Sequence, residues 1–234
     1  TALSTGAAKE SFDTTWETKG RATKWALYAL GADVCLWAED YEAAVTYCDA
    51  ILNARGVGAP AFLATATHSS WFSMFNPGNS NESIFEIQYN YEENQTNNLP
   101  KLFDNEHADG IYRISRALTQ MFNSEYSATL YEMKEAVRSM YGGYFVGPDA
   151  TIFESATVSY VWKYLGSQTL SDKRTASYYD PNFIIYRVAD VMLMKAEALI
   201  LRTHGENIED KVEAMKLINE IRTRSNLEIE VEAT

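Results

Sequence analysis

The sequence is poor in the residues that carry most chemistry. It holds two cysteines and three histidines in 234 residues. Cys35 and Cys48 match no metal-binding or redox spacing. Both fall at apolar positions of predicted helices, where buried free thiols are the default and a disulfide between paired helices is the alternative. His68, His107 and His204 are scattered, and none has a metal-ligand spacing. There is no Gly-x-Gly-x-x-Gly, no phosphate-binding loop and no Gly-x-Ser-x-Gly elbow, so the sequence signs of nucleotide binding and of serine hydrolysis are missing. Basic residues are also short, 20 against 32 acids, for a net charge of −12. That balance excludes the basic footprint nucleic acid requires and disfavours docking on an anionic bilayer. No apolar run is long enough to span a membrane.

What the chain does have is apolar mass, 46% of residues, enough for a sizeable core. From Val188 to Leu201 nearly every position is apolar without Gly or Pro, which predicts a helix buried on most sides. Asp190 and Glu197 stand seven apart on one face of it, and Arg187 lies three before Asp190. Buried acids need partners, so Asp190 and Glu197 are expected to pair with Arg187, Arg222 or Arg224 in a structural ion-pair network. Arg222 and Arg224 also fall in the last turn of the following helix, where positive charge is favoured.

Residues 20–55 predict a second helix pair. Asp40 is a good N-cap for a helix from Tyr41 to Leu52, and Gly56 and Gly58 follow it. Leu27, Leu30, Gly31 and Val34, then Ala43, Tyr47 and Ala50, fit the tetratricopeptide pattern, with Tyr47 filling the groove between the helices. Residues 183–225 form a looser version, with a long connection around His204–Asp210. One such pair cannot bury its own face, so the two pairs are expected to pack through intervening or missing helices. Residues 57–180 read as a loop-rich insert. Phe85, Ile87, Tyr89 and Tyr91 alternate as in a strand. Ile111 to Phe122 and Tyr126 to Met140 read as helices, and Val158 to Leu165 as a strand or extended segment.

Several of these stretches resemble one family. Tyr186-Arg187-Val188-Ala189-Asp190-Val191-Met192-Leu193-Met194-Lys195-Ala196-Glu197-Ala198 with Ile218-Asn219-Glu220-Ile221-Arg222-Thr223-Arg224 is similar to the C-terminal helix pair of the SusD/RagB family, in which a Tyr usually stands where Val188 does. Gly20 to Ala26, the segment around Glu82-Ser83-Ile84-Phe85-Glu86-Ile87-Gln88 and Lys163-Tyr164 resemble further family blocks in the same order. The family position of Trp71, Phe72 and Phe75 implies core packing. The resemblance implies a mainly α fold of tetratricopeptide-like helix pairs with long loops and a few short strands, residues 1–234 being one such domain incomplete at both ends. It also implies an outer-membrane surface lipoprotein, anchored through a cysteine upstream of this sequence, that delivers ligand to a SusC-like TonB-dependent transporter.

Aromatic residues reach 13%, fifteen of them Tyr, and several lie in predicted loops. A flat ring can stack on a sugar face while amides bond its hydroxyls. Tyr91 with Asn94, Asn97 and Asn98 is such a combination, as are Tyr141 and Tyr144 beside a Gly-Gly turn and the pair Tyr178–Tyr179. The reading is a non-catalytic, cofactor-free binder of oligosaccharide; a peptide-binding carrier and a helical-repeat adaptor for other proteins are the alternatives.

Overall fold

The computed structural model describes residues 19–56, 58–64, 71–76, 78–104, 111–112, 160–166 and 179–225, with 115, 117, 145, 146 and 232 besides. It is mainly helical, with short two-stranded pairings. Helix α1 is Lys24–Trp37 and α2 is Tyr41–Leu52. Within the insert lies α3, a single turn at Trp162–Leu165, and after it come α4, Val188–Arg202, and α5, Ile208–Arg224. Among the described residues no helix is long and apolar enough to cross a membrane.

Local chemistry sets these boundaries. Thr23 Oγ1 accepts the Ala26 N–H at 3.3 Å, and Asp40 Oδ1 accepts that of Ala43 at 3.1 Å, so α2 starts where the sequence places it. Asn207 Oδ1 accepts from Glu209 and Asp210 at 2.8 and 3.2 Å to start α5. The connection before α5 is therefore only Thr203–Asn207, shorter than the spacing around His204–Asp210 predicts. His204 (φ 51°) and Gly205 (φ 73°) reverse the chain there, and the Gly205 N–H caps Ile200 O at 2.9 Å.

The helices stack in the order α1, α2, α4, α5. The expectation of intervening helices is overturned: α2 packs directly on α4. Small residues permit it. Ala44 and Val45 of α2 meet Ala196, Ala198 and Leu199 of α4 and Ala214 of α5. Within the first pair, a Cβ on Gly31 would lie 3.2 Å from the Tyr47 ring, so the tyrosine does fill the groove. Leu30 and Val34 depart from the repeat pattern. They lie on the outer face of α1 beside Trp37, which is 87% exposed, while Ala26, Ala29 and Ala32 face inward. Cys48 is buried and Cys35 half-buried, and both are free thiols; burial pushes the Cys48 thiol up to about 12.

The helix pair predicted from residue 183 begins later. Phe183–Arg187 is strand β4, antiparallel to β1, Ser83–Ile87, with Glu86 opposite Ile184 and Ile87 opposite Phe183. The run Phe-Ile-Ile-Tyr is β-branched and aromatic, which favours a strand once a partner edge is available. In β1, Ile84 and Glu86 are buried while Ile87 is exposed, so the polar Glu86 faces inward. Phe145–Val146 (β2) pairs with Tyr160–Val161 (β3), and the rest of the segment expected to be extended, Trp162–Leu165, is the helical turn α3. Ile111 and Tyr112 are not helical, and the Tyr112 N–H donates to Leu102 O at 2.9 Å. The helix predicted from Tyr126 to Met140 lies outside the described residues.

Of the expected ion pairs, Arg187 with Asp190 is present, while Arg224 pairs with a different acid and Glu197 stands apart. Arg187 Nε approaches Asp190 at 3.8 Å, and the Arg187 N–H donates to Asp190 Oδ2 at 3.0 Å at the start of α4. Arg224 pairs with Glu82, its Nη1 lying 2.8 and 2.6 Å from the two carboxylate oxygens. Arg187 Nη1 stands 3.6 Å from the same acid. Glu197 is exposed and outside this cluster; it sits on the solvent side of α4, so burial makes no demand on it. Arg222 is half-buried in the last turn of α5.

Candidate functional site

Residues 88–98, which follow β1, form a loop braced at both ends. At its base the Asn79 and Gln88 amides bond each other reciprocally, at 3.0 and 2.9 Å. Asn182, just before β4, donates to Glu86 Oε2 at 2.8 Å and to Gln88 Oε1 at 3.1 Å, and accepts the Tyr89 N–H at 3.1 Å. The Asn79 N–H donates to both Glu86 oxygens at 3.1 Å. Gly78, at φ 85°, leaves room for that contact: a Cβ there would come within 3.0 Å of Glu86 and of Asn182. Lys19, also buried, donates from Nζ to Ser83 O at 2.5 Å. Burial pulls its pKa down to about 7, against the opposing pull of Glu86.

The tip of the loop is a 3-10 turn, Tyr91–Glu93. Asn90 Oδ1 caps it through the Glu92 N–H at 2.9 Å. Asn94, at φ 58°, closes it with its N–H on Tyr91 O at 2.9 Å, and the Gln95 N–H returns to Asn90 O at 2.9 Å. Asn tolerates this left-handed geometry better than most residues. Asn97 then ties the loop down: its N–H donates to Tyr179 O at 2.6 Å, its Nδ2 to Pro181 O at 2.8 Å, and its Oδ1 accepts the Leu99 N–H at 2.8 Å.

A second aromatic group follows in the chain. After the 3-10 turn Leu99–Leu102, the Phe103 ring stacks on Tyr164 with centroids 5.4 Å apart and lies tilted against Tyr112 at 6.1 Å. Tyr112 is 57% exposed. Lys163 Nζ stands 4.8 Å from the Tyr164 centroid. Beneath lies the aromatic core of Trp71, Phe72, Met74, Phe75, Leu165 and Tyr179, so the sequence reading of Trp71, Phe72 and Phe75 as core holds.

The sequence-predicted ligand residues divide accordingly. Tyr91, 38% exposed, shares one loop with exposed Asn94 and Asn98. Asn97 and Tyr179 are buried, at 4% and 1% exposure, which corrects their assignment to the binding surface. Asn97 spends its amide on the loop anchor, and the Tyr179 hydroxyl donates to buried Asp104. Tyr141, Tyr144 and Tyr178 lie outside the described residues. Tyr112 and Tyr164 were missed, because Tyr112 falls in a stretch with helical spacing and Tyr164 in one that alternates.

The buried acids have structural work: Glu82 holds Arg224, Glu86 holds Asn79 and Asn182, and Asp104 accepts from Tyr179. Among the described residues no His, Cys, Asp and Glu cluster is arranged to hold a metal. A separate groove of about 600 Å³ runs between the end of α2, residues 53–56 and 59–62, α4 and α5. Its walls include Leu52, Pro60, Phe62 and Met192, with charges of both signs from Arg55 and Glu220.

The sequence profile of the SusD family matches residues 87–233. No curated protein matches the chain. Among solved structures, a SusD superfamily protein from Bacteroides thetaiotaomicron is 20% identical, with a TM-score of 0.65 over 99% of this chain and 46% of its own. One from Parabacteroides distasonis is 20% identical, with a TM-score of 0.60 over 92% of this chain and 47% of its own. Surface glycan-binding protein A from Bacteroides thetaiotaomicron, solved in complex with laminarihexaose, is 20% identical, with a TM-score of 0.55 over 96% of this chain and 52% of its own. The chain thus spans about half the length of these relatives.

Proposed function

Because this chain belongs to the SusD family, we propose that it is part of a non-catalytic carrier that binds oligosaccharide at the cell surface. The carrier is held to the outer membrane by a lipid anchor and passes its ligand to a SusC-like TonB-dependent transporter. The observation that carries the glycan reading is the braced turn presenting the Tyr91 ring with the exposed amides of Asn94 and Asn98. A ring carried on a turn whose backbone is held by hydrogen bonds on both sides meets a sugar face with a reduced ordering cost. Amides with no fixed charge suit hydroxyl recognition. The Phe103, Tyr112 and Tyr164 rings offer a second stacking surface for a longer chain. The likeness to a glycan-binding protein solved with laminarihexaose favours the same class of ligand.

A peptide-binding carrier is the second reading, favoured by the groove beside α5, whose charges of both signs suit a peptide. Calorimetric titration with neutral oligosaccharide and peptide panels separates the two. Oligosaccharide binding is expected, weakened about ten-fold by Tyr91→Ala, the equivalent of roughly 1.4 kcal/mol of stacking and burial. Binding to peptides alone would overturn the glycan assignment. Co-purification of the lipid-anchored protein with a TonB-dependent transporter tests the delivery step.

A further inference from the structure

The turn that presents Tyr91 carries fixed negative charge. The two residues after the ring are Glu92 and Glu93, both exposed and both inside the same 3-10 turn. Between residues 89 and 100 there is no basic residue. The next one, Lys101, belongs to the second 3-10 turn, beyond the Asn97 anchor. Lys163 is half-buried, with its ammonium over the Tyr164 ring. The caps described above bond the backbone of this turn, using the Glu92 N–H and the Asn94 N–H, so the turn keeps both acids beside the ring.

We infer that Glu92 and Glu93 make the Tyr91 surface selective for neutral glycans over glycans bearing carboxylate or sulfate groups. The inference rests on the glycan reading above and names the ligand class of that same surface. Adjacent residues place the two carboxylates within about a Debye length, ~8 Å, of a sugar stacked on the ring. At low salt, where screening is weak, two such charges acting through water on one sugar carboxylate disfavour it about five-fold. The acids act by repulsion alone and touch no ligand atom, so they reject the charged glycan without improving the neutral one.

The test uses matched probes: laminarihexaose and maltohexaose, each beside its C6-oxidised counterpart, in which primary alcohols are replaced by carboxylates. At low salt the chain is expected to bind a neutral hexasaccharide at least about five-fold tighter than its oxidised form, a gap that narrows at high salt. In Glu92→Gln/Glu93→Gln the oxidised form should gain about five-fold while the neutral affinity stays put, which also reports that the loop is intact. Neutral binding with an unchanged gap in the double variant overturns the inference and leaves the glycan reading standing. Absence of binding to any neutral hexasaccharide sinks both.

Discussion

Arg224 shows how much a single side chain can hold. Its guanidinium is buried, grips both oxygens of equally buried Glu82, and lies 4.4 Å from the Phe62 ring centre. Glu82 also accepts the Leu63 N–H at 3.0 Å, so one carboxylate joins the end of α5, the edge of β1 and the start of the insert. Two buried charges are tolerable together and costly apart. Arg224→Met should therefore destabilise by about 3 kcal/mol or more, and adding Glu82→Gln should return part of that loss. Urea unfolding reads both as midpoint shifts at constant slope. The sequence offered Arg224 as a partner for Asp190 or Glu197, because buried acids need one. It could not name Glu82, which is 142 positions away, since helical spacing reports only neighbours three or four apart. The same limit hid the fate of Tyr179: nothing local says that its hydroxyl meets Asp104 75 residues before it.

Elements were legible where their causes are local. Asp40 marks the start of α2 because a cap acts over three residues. Phe183–Arg187 was counted with the helix pair at 183–225 because its strand needs β1, about a hundred residues upstream, to exist. Two predictions belong to this scale. Gly31 lies against Tyr47, so Gly31→Leu should cost about 1–3 kcal/mol by forcing α1 and α2 apart, seen as a lowered Tm. The α4–α5 turn is closed by Arg202, whose Nε and Nη2 donate to Asp210 at 2.8 and 2.6 Å while Nη1 reaches Glu42 of α2 at 3.1 Å. Hydrogen bonds from Arg202 hold the Asp210 carboxyl below its ordinary range. A carboxyl depressed in the folded state stabilises fully above its unfolded pKa, about 3.9, and that contribution fades as pH falls through the lower folded value. Unfolding titrations should show Asp210→Asn less stable than the parent at neutral pH, with the difference shrinking below about pH 4.

At the scale of the whole molecule, the first helix pair ends at Leu52 and the second begins at Val188, yet α2 and α4 share one small-residue interface. The repeat pattern identified both pairs but not their contact, because a solenoid sequence encodes which faces are apolar and leaves the order of stacking to chain topology. Leu30 and Val34 show the same gap, since the pattern counted them as filling and the stack turns them outward. The insert is fastened to the stack by β1 on β4, by the Val188 N–H on Glu82 O at 2.9 Å, and by the Arg224–Glu82 pair. Its aromatic core around Trp71 reaches Ile184 of β4, the strand that leads straight into α4. Opening the helical stack therefore strips the aromatic core of its support, and the two should unfold together. In a variant retaining only Trp71, far-ultraviolet circular dichroism and tryptophan fluorescence are expected to trace one coincident urea transition. Fluorescence falling at clearly lower urea would show the aromatic core melting by itself, and the loop that carries Tyr91 would then lack the rigid base on which its proposed role in binding depends.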